Sequence, residues 1–200
     1  VVEGIIATYT PEGRPTAAPM GLYTEDLERI VVKPYKDTLT YRNMVARGCA
    51  TANLTHEPEL YYYTTFKDAN PGGQLPAGWF EEASKVDAPA LRPADVSIEL
   101  EVEEVKGSGM RGELVCTPVS YRVRVERKAY SRAAFALIES LIHATRVEPY
   151  LEQGLDVAPL VARIQDYRAL VRRVAPGTGL EAMMEDLWRR VEGWLSSRSG

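Results

Sequence analysis

The stretch "RIVVKPYKDTLTYRNMVARGCATANLTH", Arg29 to His56, decides the fold because its period changes twice. "RIVVKPY" is short and rich in β-branched residues, the composition of a strand. "DTLTYRNMVARG" switches to a helical period, with Leu39 or Thr40, Met44 and Val45 on one side and Gly48 at the end. "CATANLTH" then returns to strand. A strand that ends where a helix starts brings free backbone N–H groups and the positive end of the helix dipole to one point, which favours a phosphate. Lys36 and Arg42 bring full charges to that junction, and Thr38 and Thr40 bring hydroxyls. A plainer reading stays open, in which Asp37 or Thr38 only caps the helix while Lys36 and Arg42 are solvated.

On the N-terminal side, "VVEGIIATYT", the turn "PEGRP" and "TAAPMGLYTE" read as a strand, a turn and a returning strand. The returning strand holds "PTAAPMG", Pro15 to Gly21, whose small residues let a flat ligand approach the backbone; plain barrel packing is the alternative. On the C-terminal side, Val96, Ile98, Leu100 and Val102 alternate with polar residues in "VSIELEVEEVKG", and "GELVCTPVSYRVRVERKAY" adds further strand. Six or so strands with one short helix suggest a barrel. Residues 67–95 form a long excursion in which Pro71, Gly72, Gly73, Pro76, Gly78, Pro89 and Pro93 break any regular element, and its length suits a lid, a binding loop or an interface arm.

From Ser131 the period is helical, with Phe135, Ile138, Leu141, Ile142 and Thr145 expected on one apolar face. Glu139, His143 and Arg146 fall at i, i+4 and i+7 as a polar stripe opposite it. Asp156 is placed to cap a second helix, and Thr178 with Glu181 forms a capping-box pattern that opens a third. The expected architecture is mainly β plus α, a barrel domain over 1–128 and a three-helix subdomain over 129–200.

Composition excludes several classes. Residues 1–126 hold 13 Lys and Arg against 19 Asp and Glu, while 127–200 hold 11 against 9, which disfavours a general nucleic-acid binder and leaves local basic sites for a small anion open. No apolar run approaches the roughly 18 residues that a membrane span needs. Cys49 and Cys116 give neither a disulfide framework nor a zinc spacing, which suits a cytoplasmic protein without a metal site. His56 and His143 are the only histidines, and neither sits in a nucleophile context. "GSGMRG", Gly107 to Gly112, has the wrong spacing for a dinucleotide fingerprint and reads as a hairpin turn.

The stretches "VVEGIIATYTPEGRPTAAPMG", "YKDTLTYRNMVARG", "ATANLTH" and "LIESLIHATR" resemble a family of uncharacterised prokaryotic flavoproteins that pair an FMN-binding split β-barrel with a C-terminal helical region. The resemblance implies a homodimer with FMN near the subunit interface and no established reaction. It implies that Lys36, Thr38, Thr40 and Arg42 hold the FMN phosphate, with Asp37 and Asn43 beside them. It lays Ala17, Ala18, Pro19, Met20 and Gly21 along the isoalloxazine ring and turns Asn53 toward the same pocket, with His56 as a neighbour. His143 and Arg146 join this set if the helical stripe closes over the barrel. An FMN-dependent oxidoreductase related to flavin reductases is then expected. The competing expectation is a non-catalytic FMN carrier or sensor.

Overall fold

A computed structural model describes residues 1–107, 109–124 and 131–197. The chain divides into two compact units: residues 1–56 with the segment from 66 through the last strand, and residues 57–65 with the C-terminal helices. The expected domain boundary at 128 lies outside the described residues.

The first unit is a closed antiparallel barrel of six strands, β1 (Val2–Tyr9), β2 (Pro15–Tyr23), β3 (Ile30–Val32), β4 (Cys49–Leu54), β7 (Val96–Lys106) and β8 (Glu113–Val123), in the order β1-β2-β3-β8-β7-β4. Helix α1 (Leu39–Arg47) connects β3 to β4. The interior is apolar: Ile6, Leu22, Ile30, Val32, Ile98, Leu100 and Leu114 are fully buried, and Met44 of α1 joins them. Burying such side chains stabilises by roughly 1.5–3 kcal/mol each. Strand register fixes which residues face inward. Gly4 pairs with Met20 and Val2 with Leu22, and Met20 and Leu22 belong to the core, so Thr16 and Ala18 share that face while Ala17, Pro19 and Gly21 point outward.

Residues 67–95 are more regular than their prolines and glycines suggest. Three single-turn 3₁₀ helices lead to a two-stranded ribbon, β5 (Phe80–Glu82) with β6 (Pro89–Leu91). Pro89 is tolerated because it sits at the first residue of its short strand. The loop between them wraps a carboxylate: Glu99 of β7, 4% exposed, accepts from Ser84 N (2.9 Å), Ser84 Oγ (2.7 Å), Lys85 N (2.6 Å) and Val86 N (3.2 Å).

The second unit contains α2 (Pro58–Thr65), α3 (Arg132–Glu152), α4 (Ala158–Val174) and α5 (Gly179–Ser196). Helix α2 was not expected, because its "PELYYYTT" mixes aromatic and hydroxyl residues without a helical stripe. Its Tyr62 hydroxyl donates to Asp186 Oδ2 at 2.5 Å. The third-helix cap differs from a simple capping box: Thr178 Oγ1 accepts from Glu181 N at 3.4 Å, but Glu181 Oε2 takes the N–H of Gly177 at 2.7 Å. Asp156 Oδ1 accepts from Ala158 N at 2.9 Å, two residues on.

The expected apolar face of α3 is corrected. Ala133, Ala136, Leu137, Ser140, Leu141, His143, Ala144 and Val147 are buried, whereas Phe135 is 42% exposed and Thr145 is exposed. The small alanines let α3 approach its neighbours closely, and a reading weighted toward large side chains chose the wrong phase. Among the described residues no helix is long and apolar enough to cross a membrane, and no cluster of three metal-ligating side chains occurs.

Candidate functional site

The junction before α1 is built by the hairpin that joins β7 to β8. Lys36 N donates to Met110 O (2.9 Å), Gly112 N donates to Pro34 O (2.9 Å), and Arg111 lies 4.0 Å over the Tyr35 ring while donating to Lys33 O (3.1 Å). Gly112 leaves room for the Tyr41 ring: a Cβ at that position would lie 2.2 Å from Cε2 of Tyr41. The hairpin therefore fixes the path of the chain into α1.

Thr38 is the N-cap, in extended conformation, with Oγ1 accepting from Tyr41 N (3.3 Å) and donating to Tyr35 O (2.6 Å). At the other end Gly48 closes the helix in the left-handed conformation, φ 68°. The first-turn N–H groups of Leu39 and Thr40 have no partner among the described residues, as expected for the start of a helix. Arg42 is exposed and makes no ion pair among the described residues. Thr40 is buried on the α1 face that also carries Asn43 and Met44. These groups fit a phosphate: two free N–H donors, a helix dipole and one uncommitted guanidinium.

Other expected members have different tasks. The Lys36 ammonium donates to Gly107 O at 2.9 Å, so it braces the hairpin. Asp37 is exposed, and its carboxylate opposes an anion at this point. Asn43 donates to Thr8 Oγ1 at 2.9 Å, and its Oδ1 is buried without a partner among the described residues. Asn53 is corrected. Its amide donates to Ile5 O (3.0 Å) and Thr51 Oγ1 (2.9 Å), and its Oδ1 accepts from Leu91 N and Ser97 Oγ (both 2.9 Å). It is a clip that ties β6 to the barrel wall instead of a group turned to a pocket. His56 has a nearly fully exposed side chain, 3.7 Å from Asp95.

His143 and Arg146 lie on α3, in the other unit, and His143 is not on a solvated stripe. It is 8% exposed, stacked on Tyr167 (centroids 6.4 Å, planes 11° apart), and neither ring nitrogen has a partner among the described residues. Burial lowers its pKa; Glu139 pulls the other way, and Arg146 and Arg163 reinforce the lowering. The ring is therefore neutral in the fold, and acid costs stability. As pH falls below about 6.5 the unfolded chain takes up a proton that the folded chain refuses until its own lower pKa is reached. The urea midpoint of the protein is expected to drop between pH 7.5 and 5.5 and to drop less in His143→Gln. An equal drop in both would remove His143 from the titration.

A concavity of about 460 Å³ in the barrel unit is lined by Tyr9, Arg47, Glu82 and Asp87, among others, and none of the expected site residues lines it. Its charges are partly committed: Arg47 pairs with Asp87 and donates to Thr10 O at 2.8 Å. One residue near β2 escaped the sequence reading. Lys67 donates from Nζ to Thr16 Oγ1 at 2.8 Å, and desolvation lowers its pKa. A lysine in a stretch dense with Pro and Gly gave no signal.

The family model described as the N-terminal domain of DUF447, a protein of unknown function, matches residues 2–125, and the DUF447 model for the following part matches residues 131–185. The chain is also similar to a solved FMN-bound protein from Methanosarcina mazei that matches the same family, with 23% identity and a TM-score of 0.75 over 94% of this chain and 93% of that one. The 2-nitrobenzoate 2-nitroreductase of Pseudomonas fluorescens is similar at 17% identity and TM-score 0.50, covering 61% of this chain and 64% of that one. Component B of a Bacillus cereus nitrilotriacetate monooxygenase has the same identity and TM-score, covering 66% and 74%. At these identities the likeness speaks to the fold alone.

Proposed function

The chain belongs to the DUF447 family of proteins of unknown function, and from that premise we propose that it is an FMN-binding flavoprotein that works as an oxidoreductase. The observation that carries the reading is the α1 junction, where the N–H groups of Leu39 and Thr40 have no partner among the described residues and the same helix carries Arg42, exposed and without an ion pair among those residues. The FMN-bound relative of the same family supports the choice of ligand. Bound flavin would supply the hydride and electron chemistry, so the protein needs to bind, orient and shield. That division suits a barrel whose polar groups near the junction serve mainly to hold its shape.

The test is the visible spectrum under anaerobic NADH and then NADPH. Bleaching of oxidised-flavin bands by either nucleotide at a catalytic rate is expected. Bands that persist with every ordinary donor would replace the oxidoreductase with a carrier or sensor.

The reading extends to a homodimer. Support comes from β8, where Val119, Tyr121 and Val123 are exposed beyond the point at which the three-residue β3 stops pairing. Sedimentation is expected to give twice the chain mass, and Tyr121→Glu to shift it toward the monomer. A wild-type monomer at all concentrations would remove this extension.

A further inference from the structure

Lys67 is a cation without a counter-ion among the described residues. Its ammonium is half-buried against β2, it reaches only Thr16 Oγ1, and no carboxylate pairs with it among the described residues. Partly desolvated charges in proteins are ordinarily paired, because the lost hydration must be replaced. Thr16 accepts from the ammonium, which leaves the threonine's own proton free to donate to a further acceptor. Two further N–H bonds of the ammonium are free as well. The position matters. Thr16 pairs with Thr8 across β1 and β2, and Thr8 in turn receives Asn43 of α1, so Lys67 and the flavin-side helix touch the same strand pair.

We propose that Lys67 and Thr16 form an anion subsite that receives the carboxylate of a small-molecule substrate. The inference rests on the flavoprotein reading and deepens it by naming a substrate class. A carboxylate there would accept from both the ammonium and the Thr16 hydroxyl in a charge-assisted pair. It would also restore Lys67 toward its ordinary pKa, so tighter binding is tied to the charged lysine.

The experiment titrates the protein as purified, after its visible spectrum is recorded, with propionate and with the neutral isostere propionamide, followed by NMR. Propionate is expected to bind at least tenfold more tightly than propionamide. Lys67→Met is expected to erase that preference, and Lys67→Arg to keep most of it. Methionine preserves much of the stem and removes the uncompensated charge, so folding is retained. Equal binding of the two probes, or an unchanged preference in Lys67→Met, would overturn the subsite. A loss of FMN relative to riboflavin in Lys67→Met with propionate binding intact would also overturn it, by assigning the lysine to the cofactor phosphate. A spectrum without flavin would sink the flavoprotein reading while leaving the propionate preference readable. Flavin bands without that preference would sink the subsite alone.

Discussion

Arg42→Gln is expected to weaken FMN by roughly 10- to 100-fold and riboflavin by less than about twofold. The guanidinium is exposed and uncommitted, so its charge is available to the one group that FMN has and riboflavin lacks. A charge-assisted contact of this kind is worth about 1.5–3 kcal/mol, and each 1.4 kcal/mol is tenfold in affinity. Thr38→Ala should act differently. Its hydroxyl already serves Tyr41 N and Tyr35 O, so its loss removes a helix cap worth about 1 kcal/mol of stability. Fraying of the first turn then weakens the same N–H groups, and the double variant is expected to lose more FMN than either single one. Fluorescence quenching titrations with both flavins read these ratios. Equal weakening of FMN and riboflavin in Arg42→Gln would mean that Arg42 does not touch the phosphate.

Glu99→Ala is expected to lower the stability of the barrel unit by about 2–4 kcal/mol, since three backbone N–H groups and the Ser84 hydroxyl lose a charged acceptor. Glu99→Gln should cost about half as much, because an amide oxygen still accepts but the charge is gone. Burial alone would raise the pKa of this carboxyl; the hydrogen bonds from Ser84, Lys85 and Val86 outweigh burial and hold it below the ordinary value. The sign follows: the contribution is present above the unfolded pKa and is lost as pH falls through the lowered folded one. Urea unfolding at neutral pH checks the magnitude. A change within about 0.5 kcal/mol for Glu99→Ala would mean that water replaces the carboxylate at no cost.

Much of the barrel was legible because two local signals agree with the tertiary result. The switch from β-branched residues to a helical period and back, over Arg29–His56, places β3, α1 and β4 where they occur. The alternation in "VSIELEVEEVKG" places β7. The α3 face was misread because its packing uses Ala133, Ala136 and Ala144, whose small size permits close approach but weighs little in a hydrophobic stripe. Helix α2 and the β5–β6 ribbon are set by tertiary partners, Asp186 for one and Asn53 with Glu99 for the other, at separations in sequence that no local window spans.

The site was legible as a junction but not in its division of labour. Residue type suggested that Lys36 and Thr38 face a ligand, and the family resemblance implied the same of Asn53; each makes hydrogen bonds within the protein. The sequence shows that a donor exists; only the fold shows whether it is already engaged. Lys67 illustrates the reverse, a donor left without a charged partner among the described residues by its position against Thr16.

The most direct measurement is the absorption spectrum of freshly purified protein, with the released chromophore identified after denaturation. The account predicts oxidised-flavin bands and FMN in the supernatant, or, if the preparation is empty, recovery of those bands on adding FMN. A colourless protein that does not bind added FMN would contradict the account, and the junction before α1 would then hold a different anion or none.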